Sequence, residues 1–323
     1  MNTGEFDLIQ QIRRHIVARD DVVLGIGDDA ALLQLPANRQ LVVAMDTLNI
    51  GVHFPRNTTA ADIGWKALAV NLSDLAAMGA EPAWCTLSLS LPEADGDWLD
   101  GFLHGFTALA RQHQIALVGG DTTRGPLSVC VTVHGLVASG EALRRDGARL
   151  GDDIWVSGSL GDAAAALALM LDEDGHLQDG DEALRQRLNR PTPRVPLGRA
   201  LRGVAHAAID VSDGLLADLQ HICTASDVGA RVQLAALPAS DALLRAVDPE
   251  RRQQLQATGG DDYELLFSAP VSARQAIEGI ALATLTPLQR IGGIVNGERV
   301  VALAADGHEW QPSEPGYQHF SCR

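Results

Sequence analysis

Short apolar runs alternate with helical segments along the whole chain, and this alternation limits the fold more than any other feature of its 323 residues. In the first half, Val22–Ile26 and Leu41–Met45 are typical of buried strands, whereas Glu5–Val17 has apolar residues at helical spacing. In the second half, the strand candidate Ala207–Val211 is followed by the helix candidate Leu215–Thr224. The sequence therefore predicts a mixed α/β or α+β protein.

The chain is long enough for two domains, and a polar stretch at 140–153 marks a boundary between them. We predict domains at residues 1–145 and 146–323. Gly25–Leu32 faintly resembles Gly158–Ala165, since each motif reads as a strand end, a glycine turn, an aspartate and a helix start. Both duplication and chance remain open as explanations of that similarity.

The charge balance argues against nucleic acid or an anionic membrane as a partner. With 25 Lys and Arg against 41 Asp and Glu, the formal net charge is −16, whereas nucleic acids and anionic membranes require basic surfaces. Lys66 is the only lysine, and its surroundings match neither a Walker A loop nor the lysine-bearing strand of a protein kinase. Asp62, four residues earlier, predicts that Lys66 forms an ordinary helix pair with it.

No feature of the sequence indicates secretion or membrane insertion. The four cysteines are far apart and form no C-x-x-C pair, which argues against a disulfide framework or zinc site and predicts a cytoplasmic protein. The longest unbroken apolar run, Ala163–Leu171, is too short to span a bilayer. The first residues show no signal-peptide pattern.

Aspartates stand beside apolar runs or glycine pairs at six places. In chain order the motifs are Gly27-Asp28-Asp29, Asp46-Thr47, Asn71-Leu72-Ser73-Asp74, Gly119-Gly120-Asp121-Thr122-Thr123-Arg124, Asp210-Val211-Ser212-Asp213 and Gly259-Gly260-Asp261-Asp262. Strand ends in α/β sheets line one crevice, and carboxylates gathered there repel one another unless cations lie among them. Oxygen donors without a Cys or His cluster favour Mg²⁺, which in turn binds nucleotide phosphates.

Each aspartate taken singly also has a purely structural interpretation. An aspartate after glycine commonly caps a helix or completes a turn, and Asp29 and Asp213 fit that description. Asp74 fits it less well, because a bare carboxylate in an apolar helix is costly unless it is compensated. The glycine pairs favour a ligand site, since glycine lets the backbone approach phosphates closely.

Together these motifs resemble the thiamine-monophosphate kinase family, and the resemblance covers essentially the whole chain. The segments that carry it begin at Gly25 (Gly-Ile-Gly-Asp-Asp-Ala-Ala-Leu-Leu), Asn71 (Asn-Leu-Ser-Asp-Leu-Ala-Ala-Met-Gly-Ala), Gly119 (Gly-Gly-Asp-Thr-Thr-Arg-Gly-Pro), Asp210 (Asp-Val-Ser-Asp-Gly-Leu-Leu-Ala-Asp-Leu) and Gly259 (Gly-Gly-Asp-Asp-Tyr-Glu-Leu). The resemblance implies an aminoimidazole ribonucleotide synthetase-like architecture. Its N-terminal α/β domain would bind ATP and Mg²⁺ and pair its sheet across a homodimer, and its C-terminal α/β domain would complete the active site.

Residue roles follow from the same resemblance. It assigns several Mg²⁺ ions to Asp29, Asp46, Asp74, Asp121, Asp210 and Asp213. It assigns ATP contacts to Gly120, Asp121, Arg145 and Ser212, and thiamine phosphate contacts to His53, Asp261 and Tyr317. Two positions depart from the family pattern: Ala44-Met45 replaces hydroxyl residues before Asp46, and Asp261 replaces a glutamate.

The implied reaction is the ATP-dependent phosphorylation of thiamine monophosphate to thiamine diphosphate, the last step of thiamine diphosphate biosynthesis. A phosphate monoester has a second pKa of about 6, so its oxygen is a ready nucleophile and no general base is needed. Two other interpretations stay open: a sister ATP-dependent synthetase that activates an amide or makes selenophosphate, and a non-catalytic sensor of nucleotide or divalent cations. A selenophosphate enzyme would use a reactive cysteine near the amino terminus, whereas the first cysteine here is Cys85.

Overall fold

The computed structural model describes residues 5–170 and 181–312, and the chain divides into two compact units. Unit 1 joins the residues up to Leu75 with Ala80–Gly140, and unit 2 joins Ala76–Gly79 with the residues from Glu141 onward. Both units combine sheets with helices, so the mixed α/β prediction is confirmed. Within the described residues, no helix is long and apolar enough to cross a membrane.

Unit 1 is built on a four-stranded sheet. Its elements are α1 (Glu5–Arg14), β1 (Val22–Leu24), β2 (Leu32–Leu33), β3 (Arg39–Asn49), α2 (Ala60–Ala77), β4 (Glu81–Leu91), α3 (Gly96–Gln112), β5 (Ala116–Arg124) and β6 (Ser128–Ala138). The strand order is β3-β6-β4-β5, in which β4 and β5 are parallel and the other neighbours antiparallel. The short strands β1 and β2 form a separate antiparallel pair.

One face of the four-stranded sheet is covered by helices. Residues of β6 alternate between buried and half-buried, because successive side chains point to opposite faces of a strand. On the covered face Val129, Val131 and Val133 are fully buried. Helix α2 lies so close to β6 that Leu75 Cδ2 is 2.9 Å from the position a Cβ on Gly135 would take.

The other face of the sheet is open at β3, which corrects the prediction of a buried strand at Leu41–Met45. Leu41, Val43 and Met45 are 43%, 55% and 62% exposed. Strand β3 is the edge strand and buries only the alternate side chains that face the helices, such as Leu48. The apolar run thus marks a strand with one open apolar face.

Unit 2 is built on a seven-stranded sheet of order β13-β12-β9-β11-β7-β10-β8. Its elements are β7 (Asp153–Ser157), α4 (Asp162–Met170), α5 (Glu182–Asn189), α6 (Val195–Ala200), β8 (Ala207–Asp210), α7 (Leu215–Ser226), β9 (Gly229–Gln233), α8 (Asp241–Ala246), α9 (Pro249–Thr258), β10 (Leu265–Ala269), α10 (Arg274–Ala283), β11 (Leu288–Val295), β12 (Val300–Leu303) and β13 (Glu309–Trp310). Ile154 and Val156 of β7, Ile209 of β8 and Leu266 of β10 belong to its core together with Leu219 of α7. The sequence analysis missed α5, α8, α9 and α10.

The segment after β1 departs from prediction. Val23 of β1 is exposed, so the prediction of a buried strand at Val22–Ile26 is wrong. No helix follows Asp28-Asp29, because the chain continues directly into β2. The similar motif Gly158–Ala165 does lead into helix α4, so the likeness between the two motifs does not extend to the structure.

Candidate functional site

Unit 1 contains a cavity of about 770 Å³ between α1, the loop that follows β1, and β5. Gly25–Ala31 and Gly119–Thr122 line it together with four residues of α1. Predicted site residues Asp29, Gly120 and Asp121 therefore lie around one cavity. Its volume falls within the range of small-molecule sites, roughly 300–1,000 Å³.

Position 120 requires glycine because of its backbone conformation and the close approach of strand β4. Its φ is +150°, and a Cβ there would lie 1.8 Å from the carbonyl oxygen of Leu87 in β4. The register of β4 and β5 shifts between Cys85 and Thr86, and such irregularities re-aim the residues that follow. Gly120 thus lies inside a strand rather than after one, and so does Asp46, which corrects the expectation that these motifs begin where strands end.

Arg13 of α1 is a candidate site residue that the sequence analysis missed. It lines the cavity, and its Nη1 is 2.9 Å from the position a Cβ on Gly27 would take. Within the described residues, the Arg13 side chain has no hydrogen bond or ion pair. A guanidinium so placed suits a phosphate ligand. The sequence feature that could have identified Arg13 is its position four residues after Ile9, on the apolar face of the helix.

Asn71 accounts for the polar break in the apolar helix α2. Its side chain is buried, its Oδ1 accepts a hydrogen bond from Asp46 N at 3.0 Å, and its Nδ2 donates to Ala67 O at 2.9 Å. Asp74 lies three residues further along and so shares this face of the helix. The structure therefore places Asp74 on the side of α2 that meets β3 at Asp46.

His53 lies in a tight turn directly after β3. The backbone N–H groups of Val52 and His53 donate to Asn49 O at 3.2 and 3.0 Å, and Gly51 N donates to Phe54 O at 2.9 Å. Asn49 N also donates to His53 Nδ1 at 3.0 Å. A neutral imidazole that accepts at Nδ1 carries its proton on Nε2. His53 can therefore offer an N–H to a ligand.

In unit 2, one buried carboxylate holds the loop between β8 and α7. Asp218 Oδ2 accepts hydrogen bonds from the backbone N–H groups of Ser212, Asp213 and Gly214 at 3.0, 3.1 and 3.1 Å. Burial raises the pKa of Asp218 to about 7, and the charges of Asp210 and Asp213 add to the effect. The N-cap of α7 is Gly214, so neither Ser212 nor Asp213 has the capping role that the structural interpretation gave them.

Asp261 lies beside this loop. Asp261 N donates to Ser212 O at 2.9 Å, Tyr263 N donates to Val211 O at 2.8 Å, and the Tyr263 hydroxyl donates to Asp261 Oδ1 at 3.0 Å. Asp261 and Tyr263 have φ values of +68° and +49°, a left-handed conformation that costs about 1–3 kcal/mol per non-glycine residue. The structure thus brings together the two acidic motifs of unit 2.

A buried ionic cluster is centred on Glu264, the residue directly after Tyr263. Glu264 is fully buried, and its carboxylate accepts hydrogen bonds from Arg194 Nε and Nη2 at 2.6 Å, Arg187 Nη2 at 2.7 Å and Ser157 Oγ at 2.6 Å. Burial works to raise the pKa of Glu264, but the Arg194 and Arg187 guanidiniums outweigh it and hold that pKa below its usual value. Gly158 has a φ of +59°, and a Cβ there would lie 2.1 Å from Glu264 Oε1.

Asp262 is buried near this cluster, and its pKa is shifted in the opposite direction to that of Glu264. Its two oxygens accept hydrogen bonds from Gly161 N at 3.1 and 2.8 Å. Burial raises the pKa of Asp262 well above its usual value of 3.8. From pH 3.8 upward the unfolded chain therefore loses a proton that the folded protein keeps, and the free energy of unfolding falls as pH rises toward the folded pKa.

Asp262→Asn is expected to remove that fall in stability, because asparagine keeps an acceptor for Gly161 and does not titrate. The free energy of unfolding of the variant, relative to wild type, should rise as the pH increases above the ordinary aspartate pKa of 3.8. Urea denaturation across this range measures it. Asp248→Asn, at the exposed N-cap of α9, is the control and should run parallel to wild type. Parallel curves for Asp262→Asn as well would contradict the raised pKa.

The remaining predicted residues are placed as follows. Arg145 is exposed, and within residues 5–170 and 181–312 its side chain has no bonded partner. Tyr317 lies outside the described residues. In the part of the chain that the structure describes, no group of three or more His, Cys, Asp or Glu side chains is arranged to hold a metal ion.

Comparison with known families defines the class of protein. Residues 27–137 match the model of the AIR synthase related protein, N-terminal domain, and residues 149–305 match that of the AIR synthase related protein, C-terminal domain. The two-domain architecture expected from the motifs is therefore confirmed.

Full-length relatives define the family within that class. The chain is 46% identical over 325 residues to the thiamine-monophosphate kinase of Escherichia coli (strain K12), covering 99% of both chains. The solved thiamine-monophosphate kinase of Stenotrophomonas maltophilia K279a is 58% identical, with a TM-score of 0.88 over 95% of this chain and 98% of that one. The structure of AaThiL complexed with AMPPCP and TMP is 33% identical, with a TM-score of 0.77 over 98% and 97%. The chain belongs to the thiamine-monophosphate kinase family and is an enzyme, a kinase.

Proposed function

We propose that this chain transfers the terminal phosphoryl group of ATP directly to the phosphate of thiamine monophosphate, which yields ADP and thiamine diphosphate in the last step of thiamine diphosphate biosynthesis. The observation that carries the proposal is the relative solved with AMPPCP and TMP, which aligns with 98% of this chain. Residues 1–145 would bind ATP and Mg²⁺, and residues 146–323 would supply Asp210, Ser212 and Asp213. Within the described residues, Cys85, Cys130 and Cys223 are free thiols, which accords with a cytoplasmic enzyme.

The reaction requires no general base from the protein. The acceptor is a phosphate oxygen that is mostly ionised at neutral pH, since its second pKa is about 6. His53 suits the role of a donor, because its Nδ1 already accepts from Asn49 N and its Nε2 carries the proton. His53 would bind the phosphate of thiamine monophosphate, and Asp261 and Tyr317 would contact the same substrate.

The main barrier is repulsion between two anions. Two unit charges about 4 Å apart repel by about 4 kcal/mol at an effective dielectric constant near 20, and phosphates of higher charge repel more strongly. Arg13 in the cavity wall and the exposed Arg145 are guanidiniums that can bind phosphate oxygens. Gly120 would let the backbone approach the ATP phosphates.

The donor set of this chain fits Mg²⁺. Asp29 and Asp121 line one cavity with oxygen donors only, and Mg²⁺ typically uses one or two carboxylates together with substrate phosphates and water. The ligands would be Asp29, Asp46, Asp74, Asp121, Asp210 and Asp213. When bound, Mg²⁺ would neutralise phosphate charge.

Turnover of purified protein with ATP, Mg²⁺ and thiamine monophosphate tests the proposal, with thiamine diphosphate separated by chromatography. Binding of ATP without thiamine diphosphate formation would favour the sensor interpretation. A selenophosphate synthetase is disfavoured by Cys85, which is fully buried and whose thiol pKa is raised by burial. Product formation from selenide instead of thiamine monophosphate would reverse that judgement.

The same proposal includes a homodimer formed through the open face of the unit 1 sheet. Leu41, Val43 and Met45 lie side by side there, and the register pairs Val43 with His134 and Met45 with Thr132 of β6. An exposed apolar strand face at a sheet edge is an association surface.

Val43→Glu is expected to convert the dimer to a monomer, because it places a charge in the centre of that apolar face. Sedimentation equilibrium measures the mass of wild type and variant. Leu282→Glu, at a leucine of α10 that is 79% exposed, is the matched control and should leave the mass unchanged. A wild-type monomer, or a Val43→Glu dimer as stable as wild type, would refute this interface.

A further inference from the structure

Lys66, the only lysine of the chain, lies inside unit 1 and not on its surface. It is only 2% exposed, and the predicted helix pair with Asp62 stays a prediction. Its Nζ donates a hydrogen bond to the backbone carbonyl oxygen of His53 at 3.1 Å. A buried ammonium group is costly unless hydrogen bonds compensate it. The hydrogen bond to His53 O is one of the contacts that offset this cost for Lys66.

The contact reaches the turn that holds a predicted substrate residue. The turn from Asn49 to Phe54 closes on its own backbone, and Gly51 within it has a φ of +76°. Lys66 approaches from helix α2 and binds the carbonyl of His53, while Asn49 N binds the ring of the same residue at Nδ1. The backbone and the imidazole of His53 are thus each held by a separate hydrogen bond.

The chemistry of lysine suits this place. An ammonium group is compact and can donate hydrogen bonds to carbonyl oxygens within a small space, whereas a guanidinium is larger, planar and rigid. The 24 other Lys and Arg residues of this chain are all arginines, so the exception falls where a compact buried donor is needed.

We propose that Lys66 is a positioning residue for the acceptor substrate: by binding the His53 carbonyl, it orients the imidazole so that Nε2–H is presented to the phosphate of thiamine monophosphate. This inference rests on the proposed function. Lys66 itself touches neither phosphate in this scheme and acts through His53. A group that acts through one ligand-binding residue should change the affinity for that ligand alone.

Lys66→Met tests the inference, since methionine fills a similar volume without a donor. The KM for thiamine monophosphate should rise by about tenfold, which corresponds to the loss of one binding hydrogen bond. The KM for ATP should stay within about twofold of wild type. His53→Gln should raise the same KM, and the double variant should be no worse than His53→Gln, because Lys66 has no imidazole left to orient.

Controls separate the possible failures. Thr107→Val removes a buried hydroxyl from α3 and should lower stability slightly without changing either KM. An unchanged thiamine monophosphate KM in Lys66→Met, an equal rise in both KM values, or additive effects in the double variant would each overturn the inference. Absence of turnover in wild type would instead overturn the proposed function.

A second measurement keeps the inference testable if Lys66→Met does not fold. Nitrogen-15 spectra of the histidine rings in wild type, with the His53 signal assigned by its loss in His53→Gln, report which ring nitrogen is protonated. We expect the Nε2–H tautomer at neutral pH and a shift of that signal when thiamine monophosphate is added. An Nδ1–H tautomer, or no response to the substrate, would overturn the donor role of His53, and with it the positioning role of Lys66, which acts only through His53.

Discussion

Asp121→Asn is expected to lower kcat/KM by about 10³-fold or more while the protein remains folded. The Asp121 carboxylate lines the unit 1 cavity, and among the described residues no side chain or backbone group is bonded to it. The fold therefore does not depend on its charge, whereas a neutral amide is a weak ligand for Mg²⁺. A loss of 10³ corresponds to about 4 kcal/mol of transition-state stabilisation.

Three measurements check this result. Steady-state turnover gives kcat/KM, thermal unfolding reports the fold, and calorimetry with a non-hydrolysable ATP analogue reports whether binding still depends on Mg²⁺. Asp97→Asn, an exposed aspartate in the first turn of α3, is the matched control and should behave as wild type. Near-normal turnover in Asp121→Asn would exclude this cavity as the site of metal-dependent transfer.

Arg194→Met is expected to reduce the free energy of unfolding of unit 2 by about 3–5 kcal/mol, because it removes one partner of a buried ion pair. Arg194 donates two hydrogen bonds of 2.6 Å to Glu264, whose side chain has no exposed surface. The carboxylate would keep Arg187 and Ser157 but lose its bidentate partner. Urea denaturation followed by circular dichroism measures the change.

Arg299→Met provides the matched control for Arg194→Met. Arg299 forms the same type of bidentate pair with Glu309, but their side chains are 66% and 36% exposed. Surface pairs contribute about 0–1 kcal/mol. If the two variants lost equal stability, burial would not govern the strength of the Glu264 cluster.

Helix boundaries in unit 2 show where more could have been predicted. Helix α9 begins with Asp248 as N-cap, Pro249 at its first position and Glu250 in its first turn, a standard start signal. Ser240 and Asp181 likewise cap α8 and α5 by accepting backbone hydrogen bonds. These helices were missed because they are short and mostly polar outside, so apolar spacing alone gives a weak signal.

Exposure of an apolar run could not be predicted from the run itself. Leu41–Met45 reads as a buried strand, yet burial depends on which strands and helices pack against each face. The edge position of β3 leaves Leu41, Val43 and Met45 open in the single chain. Likewise, Asp28-Asp29 followed by alanines resembles a helix start, but the chain there pairs as β2 with β1.

The sequence by itself determined the class of fold, the sites of the acidic and glycine motifs, and the family, because these depend on local periodicity and on short runs of residues. Only the tertiary structure decided which residues meet. Ser157 and Glu264 are 107 residues apart and Gly161 and Asp262 are 101 apart, yet each pair is joined by a hydrogen bond. The burial of Lys66 and its contact with His53 arise in the same way, since a helix and a turn must pack together before an ammonium group can find that carbonyl. Contacts of this kind depend on strand order and helix packing, which no local pattern specifies.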